Sequence, residues 1–150
     1  METDAAARAS PDIAHVVQVF ESLTAQSVDQ LATLYAPDAH FVDPFNAVQG
    51  VDAITQVFHH MFATLDHPRF VVTGSVIQAD QCVLFWDFQF RFRAFRQHVD
   101  QSVPGSSHLR FDAQGLIAHH HDYWDAAHGL YQKMPVIGAV MRWLRKRVNS

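Results

Sequence analysis

Residues 82–93 read CVLFWDFQFRFR, and the alternation in this stretch decides the fold class. Apolar and mostly aromatic side chains occupy every second position, whereas the positions between them become polar from Asp87 onward. A period of two is typical of a β-strand with one face on a core and the other toward solvent. Residues 70–78 also have the features of a strand, and the short run 79–81 predicts a turn between the two. The first expectation is therefore an antiparallel sheet with one aromatic face.

Three helices are expected before these strands. The first occupies residues 10–23, which have a Ser-Pro start and apolar residues at helical spacing. A second short helix, opened by a capping box, is expected to include Tyr35 and to end at Pro37. The third begins after Gly50, presents an apolar face at helical spacing, and is expected to be closed by residues 67–68.

The remaining segments add shorter elements. Residues 40–43 are expected to form a short strand that ends before a proline. Residues 94–105 are polar and contain Pro-Gly, which favours a loop. Residues 106–111 and 116–124 are expected to form a hairpin, because a turn-forming Asp-Ala-Gln-Gly lies between them. The last 25 residues have a helical apolar stripe.

This order of elements predicts an α+β fold, in which a curved antiparallel sheet wraps over three N-terminal helices and a C-terminal helix follows. A curved sheet over helices encloses an internal cavity that its aromatic face lines. The 150 residues fit a single domain, residues 1–150. Within it we expect residues 1–9 to be frayed and residues 127–150 to form a basic amphipathic helix.

Composition excludes several classes of protein. Apolar residues make up 49% of the chain, including 12 Phe, which excludes a disordered protein. The single cysteine, Cys82, excludes a disulfide framework and a thiolate-rich zinc site. The sequence has neither an apolar run of membrane-spanning length nor a hydrophobic stretch at its acidic N-terminus. A cytoplasmic protein is therefore the default expectation.

The charges are unevenly distributed. All 15 acidic groups and six basic groups lie in residues 1–125, whereas residues 126–150 carry five basic groups and no acid. An acidic chain argues against nucleic acid as a partner. The basic, amphipathic segment 135–147 has two interpretations, contact with an anionic membrane surface or packing on its own domain or on a second subunit. The second interpretation is favoured.

Asp43 is the first candidate for catalysis, because it stands in the apolar stretch FVDPF at residues 41–45. If it shares the inward face of a strand with Phe41, its carboxylate lies in an apolar cavity. The pKa of such a carboxylate is raised, and the group can act as a general base near neutral pH. The alternative is that Asp43 initiates a turn before Pro44 through its side-chain oxygen.

The second candidate is the run HHHDYWD at residues 119–125. On a strand His119 and His121 point to one face, while His120 and Asp122 point to the other. A metal site needs three or four converging ligands, and no supporting motif spacing is present. We therefore expect no metal and no cofactor. His120 and Asp122 are instead compatible with an acid–base pair, and the alternative is a solvated strand face.

Three segments carry a resemblance to a known family: residues 31–44, with their short acidic turn and strand ending in Asp-Pro, residues 50–58, and residues 108–117. Together they resemble the nuclear transport factor 2-like superfamily, and within it the ketosteroid isomerase-like and SnoaL-like polyketide cyclase group. The resemblance extends roughly over residues 12–128. It implies a cone in which a curved sheet and three helices enclose a cavity for a small molecule.

The resemblance also implies roles for single residues. The base of ketosteroid isomerases is the Asp of the Asp-Pro pair, which matches Asp43. The two oxyanion-hole positions of those enzymes match Phe20 and Ser107, neither of which supplies the familiar donor, so steroid isomerisation is not implied. SnoaL-like cyclases work with an acid–base Asp and His, which is similar to Asp122 and His120. The candidate catalytic residues are therefore Asp43, His120 and Asp122.

The expected function is that of a cavity enzyme that moves a proton next to a carbonyl on an apolar, cyclic substrate. The alternative is a small-molecule-binding or protein-interaction module without catalysis on the same fold. A homodimer through the outer face of the sheet is expected, since Val83 and Phe85 need cover there. The residues expected to bind the substrate are Phe20, Phe41, Phe58, Trp86, Phe88, Phe90, Ser107, Leu109 and Trp124.

Overall fold

The computed structural model describes residues 10–94, 98–126 and 146–147. The elements in chain order are helix α1 (Ile13–Glu21), a 3₁₀ helix (Val28–Thr33), strands β1 (Tyr35–Val42) and β2 (Ala47–Gln49), helix α2 (Val51–Thr64), and strands β3 (Leu65–Gln78), β4 (Gln81–Phe92), β5 (Gln101–Phe111) and β6 (Ile117–Trp124). Asp12 caps α1, because its side chain accepts a hydrogen bond from the His15 backbone N–H at 3.0 Å.

The six strands form one curved, unclosed sheet in the order β2-β1-β6-β5-β4-β3. The combination of this sheet with helices confirms the predicted α+β class. All neighbouring strands are antiparallel except β1 and β6, which run parallel. The parallel pair is a feature that the strand patterns did not predict. It brings the end of β1 beside the middle of β6, and this juxtaposition positions the candidate site.

The helices pack on one face of the sheet, which we call the inner face, and the opposite face is called the outer face. Val16 and Phe20 of α1 and Ile54 and Phe58 of α2 are buried against it. Burying side chains of this size stabilises the fold by about 1.5–3 kcal/mol each. The alternating apolar positions of β4 from Leu84 to Phe92 lie on the inner face as predicted, with Trp86 5% exposed, whereas Phe85 lies on the outer face.

The prediction for the second helix is wrong at its C-terminal end. The 3₁₀ helix ends at Thr33, and β1 begins at Tyr35 and continues through Pro37. The reason is a register shift between Tyr35 and His40, where β1 pairs with β6 irregularly. Within that shift Pro37 needs no ladder hydrogen bond, so the proline does not end the segment.

Two other prolines also lie inside strands rather than at their ends. Residues 67–68 were expected to close the third helix, but α2 ends at Thr64 and they form an irregularity in the edge strand β3. Residues 94–105 were expected to form a loop, but β5 begins at Gln101. Pro104 is tolerated there because the pairing of β5 with β6 begins only at the next residue.

The frayed segment expected at residues 1–9 and the basic helix expected at residues 127–150 lie outside the described residues, apart from residues 146–147. Lys146 and Arg147 are helical and exposed. None of the helices in the described part of the chain has the length and apolar character that crossing a membrane requires.

Candidate active site

A continuous chain of hydrogen bonds runs across the inner face of the sheet. Tyr35 Oη lies 2.6 Å from His120 Nδ1, and His120 Nε2 lies 2.6 Å from Asp122 Oδ1. Ser107 Oγ donates to the same carboxylate oxygen at 2.5 Å, and Trp86 Nε1 donates to Ser107 Oγ at 2.9 Å. We call Tyr35, His120, Asp122, Ser107 and Trp86 the polar chain. It joins residues from four strands in one buried network.

The pairing of the strands explains why these side chains meet. His120 and Asp122 are two residues apart on β6 and so share a face. Asp122 lies opposite Ser107 in the register between β5 and β6. Trp86 lies opposite Gly105, where a Cβ atom would overlap its six-membered ring. Only glycine at residue 105 leaves the indole room to reach Ser107.

The direction of the protons in the polar chain follows from Asp122. An ionised carboxylate only accepts, so His120 Nε2 carries a hydrogen, and Nδ1 of a neutral ring then accepts from Tyr35. Burial raises the pKa of the Tyr35 phenol well above its usual value, and the charge of Asp122 raises it further, so Tyr35 stays a hydroxyl donor. Two donors therefore converge on Asp122 Oδ1.

The two carboxylate oxygens of Asp122 differ in their hydrogen-bond partners. Within the described residues Asp122 Oδ2 has no hydrogen bond, and the side chain is 11% exposed. His120, by contrast, has both ring nitrogens bonded to the protein and a side chain only 2% exposed. Contact of an imidazole nitrogen with a substrate would require one of these two bonds to break.

Asp43 forms the turn that follows β1. Its Oδ1 accepts from the backbone N–H groups of Phe45 and Asn46 at 2.7 and 2.6 Å. The side-chain amide of Asn46 adds contacts of 3.0 Å to both carboxylate oxygens. The structure thus gives Asp43 the turn-forming geometry that the sequence offered as the alternative.

Asp43 is nevertheless close to the polar chain. Val42 pairs with His121 in the parallel ladder, so the next residues of the two strands, Asp43 and Asp122, are neighbours. Burial raises the pKa of the Asp43 carboxyl, the hydrogen bonds from Asn46 and Phe45 lower it, and the charge of Asp122 raises it again. The net shift is upward, so this carboxyl holds its proton to a higher pH than an ordinary Asp.

Two of the expected substrate-binding residues contact His120, and a third packs against both of them. The ring of Phe41 meets the imidazole edge to face at 4.7 Å, and Phe20 does so at 5.7 Å. Phe58 packs on both phenylalanines. These rings exclude water from the imidazole, which strengthens its hydrogen bonds.

The other expected aromatic residues lie further along the sheet. Phe88 and Phe90 stack at 5.1 Å, and Phe88 and the half-buried Trp124 pack against a second core cluster. We call this cluster, made of Phe90, Phe92 and Val103, the distal cluster. Leu109, which was also expected to bind substrate, is fully buried opposite His120 in the main core.

Sequence reasoning missed three residues of this face. Tyr35 was placed on a helix, because the irregular start of β1 hides its inward direction. Gln101 was placed in a loop, although the alternation of Gln101 with Val103 was a usable signal. Phe70 was read as a strand residue but not as a neighbour of Trp86, whose ring lies 5.4 Å from its own.

No group of three or more His, Cys, Asp or Glu side chains within the described residues is arranged to hold a metal ion. His119 and His121 point to the outer face. There the ring of His119 stacks on His40, and that of His121 stacks on Tyr123.

A family model described as the SnoaL-like domain matches residues 16–120. The chain belongs to the SnoaL-like domain family. The match extends from within α1 to the middle of β6 and includes four of the five residues of the polar chain. Asp122, the fifth, lies just beyond it. A search of the curated proteins finds no significant match to the chain.

Solved structures with the same fold come from several bacteria. A protein of Catenulispora acidiphila with a ketosteroid isomerase-like fold, in complex with trimethylamine, superposes with a TM-score of 0.70 at 19% identity, over 83% of this chain and 93% of that one. A putative SnoaL-like polyketide cyclase of a Jannaschia species gives 0.67 at 15% identity, over 85% and 94%. An NTF2-like protein of unknown function from Burkholderia pseudomallei gives 0.66 at 14%, over 77% and 89%. At these identities the likeness concerns the fold.

Proposed function

We propose that this SnoaL-like protein is an acid–base enzyme that moves a proton next to a carbonyl of an apolar, cyclic molecule. The observation that carries the proposal is the Asp122 carboxylate, which has one oxygen held by two donors and the other oxygen without a partner among the described residues. A base must be fixed in orientation and yet keep one atom for the transferred proton. Asp122 meets both requirements.

In this proposal Asp122 Oδ2 takes a proton from the carbon next to the carbonyl. The electrons of the broken C–H bond form the enolate, and the protonated Asp122 then returns the proton to a second position of the substrate. Ser107 and His120 keep the carboxylate in place through their bonds to Oδ1. Tyr35 is a positioning residue, because its hydroxyl fixes the orientation of the His120 ring.

The inner face favours an apolar substrate with rings. The half-buried Phe88 and Trp124 offer aromatic surface along the sheet, and the buried Trp86 and Phe90 pack beside them. Flat apolar molecules bind such surfaces through contact area. The trimethylamine complex of the Catenulispora acidiphila protein supports a small-molecule site on this fold.

Asp43 takes a different part in the proposal from Asp122. Its two oxygens already accept four contacts from Phe45 and Asn46, which commits the carboxylate to the turn. Its place beside Asp122 makes it an electrostatic neighbour of the base. Asp122 is therefore the preferred base, and Asp43 is the residue to compare with it.

The experiment uses NMR to measure how fast the α-protons of 2-tetralone exchange for deuterium in D₂O. Because 2-tetralone is a model ketone, the natural substrate need not be known. Wild type is expected to exceed the buffer rate, and Asp122→Asn to lose a factor of about 10²–10⁴. Asp43→Asn is expected to lose less. Asp87→Asn, on the outer face of β4, is the matched control and keeps the wild-type rate.

Two results would reject this function. Wild-type exchange in Asp122→Asn would remove the assigned base. A wild-type protein that binds 2-tetralone tightly but leaves its exchange at the buffer rate would favour the alternative, a binding module without catalysis.

We also propose that the protein forms a homodimer through the outer face of its sheet. Val76 is 58% exposed, Phe85 45% and Tyr123 53%, and a groove of about 380 Å³ lies between strands β3 to β6 on this side. Exposed apolar residues gathered on one sheet face are typical of an interface. A second copy offers the same surface, so a two-fold axis through this face would cover both.

A further inference from the structure

One buried polar group on the inner face lies outside the polar chain. Gln101, the first residue of β5, is 4% exposed, and its side-chain Nε2 is buried without a hydrogen-bond partner within the described part of the chain. A buried donor without a partner costs about 1–3 kcal/mol. A fold that keeps such a group gains something from it elsewhere.

Gln101 differs in this respect from the other buried polar side chains of the described residues, Ser107 and His120. Ser107 Oγ donates to one partner and accepts from another, and both nitrogens of His120 are bonded. The inner face therefore satisfies its polar groups near Asp122 and leaves one unsatisfied at Gln101. Most buried side-chain polar atoms in folded proteins have a hydrogen-bond partner, so the unpartnered Nε2 of Gln101 needs an explanation.

The surroundings of Gln101 are apolar. It pairs with Phe90 in the register between β4 and β5, and it shares the inward direction of Val103 two residues further along β5. These two neighbours belong to the distal cluster, against which Trp124 also packs. A single amide among aromatic rings is the arrangement by which apolar pockets orient a ligand.

We propose that Gln101 is a ligand-binding residue whose side-chain amide donates a hydrogen bond to an oxygen at the end of the ligand remote from Asp122. The proposal rests on the proposed function, since it assumes an apolar ligand on the inner face. Ser107 lies six positions after Gln101 on β5, roughly 20 Å along the strand. The ligand class is therefore an elongated, ring-containing molecule that carries a carbonyl or hydroxyl oxygen at its far end.

The experiment compares two probes that differ in one atom group. 2-Acetylnaphthalene has a carbonyl oxygen where 2-isopropenylnaphthalene has a CH₂ group. Binding of both is measured by fluorescence titration to the full chain and to Gln101→Met, which keeps the length of the side chain but has no amide. We expect the variant to lower the ratio of ketone affinity to alkene affinity about five- to tenfold. Gln18→Met, exposed on α1, is the matched control and keeps the wild-type ratio.

A second readout separates binding from structure. Removing an unsatisfied buried amide is expected to raise the Tm of the ligand-free protein by about 2–4 °C in Gln101→Met. A lowered Tm would mean that the amide supports the fold, and it would overturn the proposal.

The two proposals fail in different ways. If neither probe binds wild type, the apolar ligand site itself is wrong, and the role of Gln101 falls with it. If both probes bind and Gln101→Met keeps the wild-type ratio, the assignment of Gln101 alone is wrong, while the function of Asp122 stands.

Discussion

Strand β6 carries three consecutive histidines to which the two faces of the sheet give opposite surroundings. His120 lies on the inner face, is 3% exposed, and has both ring nitrogens bonded. His119 and His121 lie on the outer face, where they stack on His40 and Tyr123 with centroids 5.1 and 4.0 Å apart. The residue type is the same, so the difference in role comes from the face.

The inner face accommodates polar groups only under a strict condition. Its buried polar groups are removed from bulk water, so each of them needs a partner in the protein or in a ligand. The polar chain meets this condition by linking its members to one another. On the outer face water supplies missing partners, and the same residue types need no network.

Replacing His120 is expected to give the largest effect on stability. His120→Phe keeps a ring among Phe20 and Phe41 but leaves the Tyr35 hydroxyl without its acceptor and Asp122 without one donor. We expect a loss of about 2–4 kcal/mol in the free energy of unfolding, measured with urea. His119→Phe, one residue away on the outer face, is expected to change it by less than about 0.5 kcal/mol. Equal losses in both variants would contradict the difference between the faces.

Substitutions at two strand glycines, Gly105 on the inner face and Gly74 on the outer face, are expected to have the next largest difference in effect. In Gly105→Ala the new methyl group overlaps the ring of Trp86, so the indole must move away from Ser107. We expect a loss of about 1–3 kcal/mol and a shift in tryptophan fluorescence. In Gly74→Ala the methyl group would lie 3.9 Å from Phe85 on the outer face, an ordinary contact. An unchanged fluorescence spectrum in Gly105→Ala would show that the indole is not held as described.

The proposed dimer interface on the outer face is tested by measuring how strongly two copies of the chain associate. Phe85→Asp places a charge in the proposed interface, and we expect it to weaken the homodimer about 10- to 100-fold, measured by analytical ultracentrifugation. The monomer should keep its fold, because Phe85 is exposed. A wild-type protein that stays monomeric at high concentration would exclude this interface.

The smallest effect is expected from Asp43, in the turn that follows β1. Because burial raises the pKa of its carboxyl, folding favours the protonated form, and this contribution to stability is lost as pH rises through the raised pKa. The stability of Asp43→Asn relative to wild type should therefore increase between about pH 3 and pH 7. Urea unfolding at several pH values measures this difference, and a gap that does not depend on pH would contradict it.

Most of the architecture could be predicted from local patterns. The alternation in β4 and the helical spacing in α1 and α2 depend on which face each side chain buries, and that information is written in neighbouring residues. The predictions at the prolines were wrong because the cost of a missing backbone N–H depends on whether a partner strand lies opposite it. At Pro104 the neighbour β6 has already ended, and no local pattern contains that fact.

The candidate site was predictable only in pieces. His120 and Asp122 could be grouped, since two residues on one strand share a face. Tyr35 could not be added, because its place depends on an irregular register between strands distant in sequence. The hydrogen-bond partners of Asp43 were easier to predict, since Asn46 is three residues away and a turn was among the alternatives.

The position of β6 between β1 and β5 has a consequence for the order in which the molecule can assemble during synthesis. When a ribosome has released residues 1–116, the nascent chain holds five strands, yet β1 and β5 each expose an edge that awaits the sixth. Such open edges invite pairing with other chains. Arrival of β6 closes both edges in one step and delivers His120 and Asp122 at the same moment. Protection from aggregation and completion of the proposed site therefore depend on the same eight residues, Ile117–Trp124.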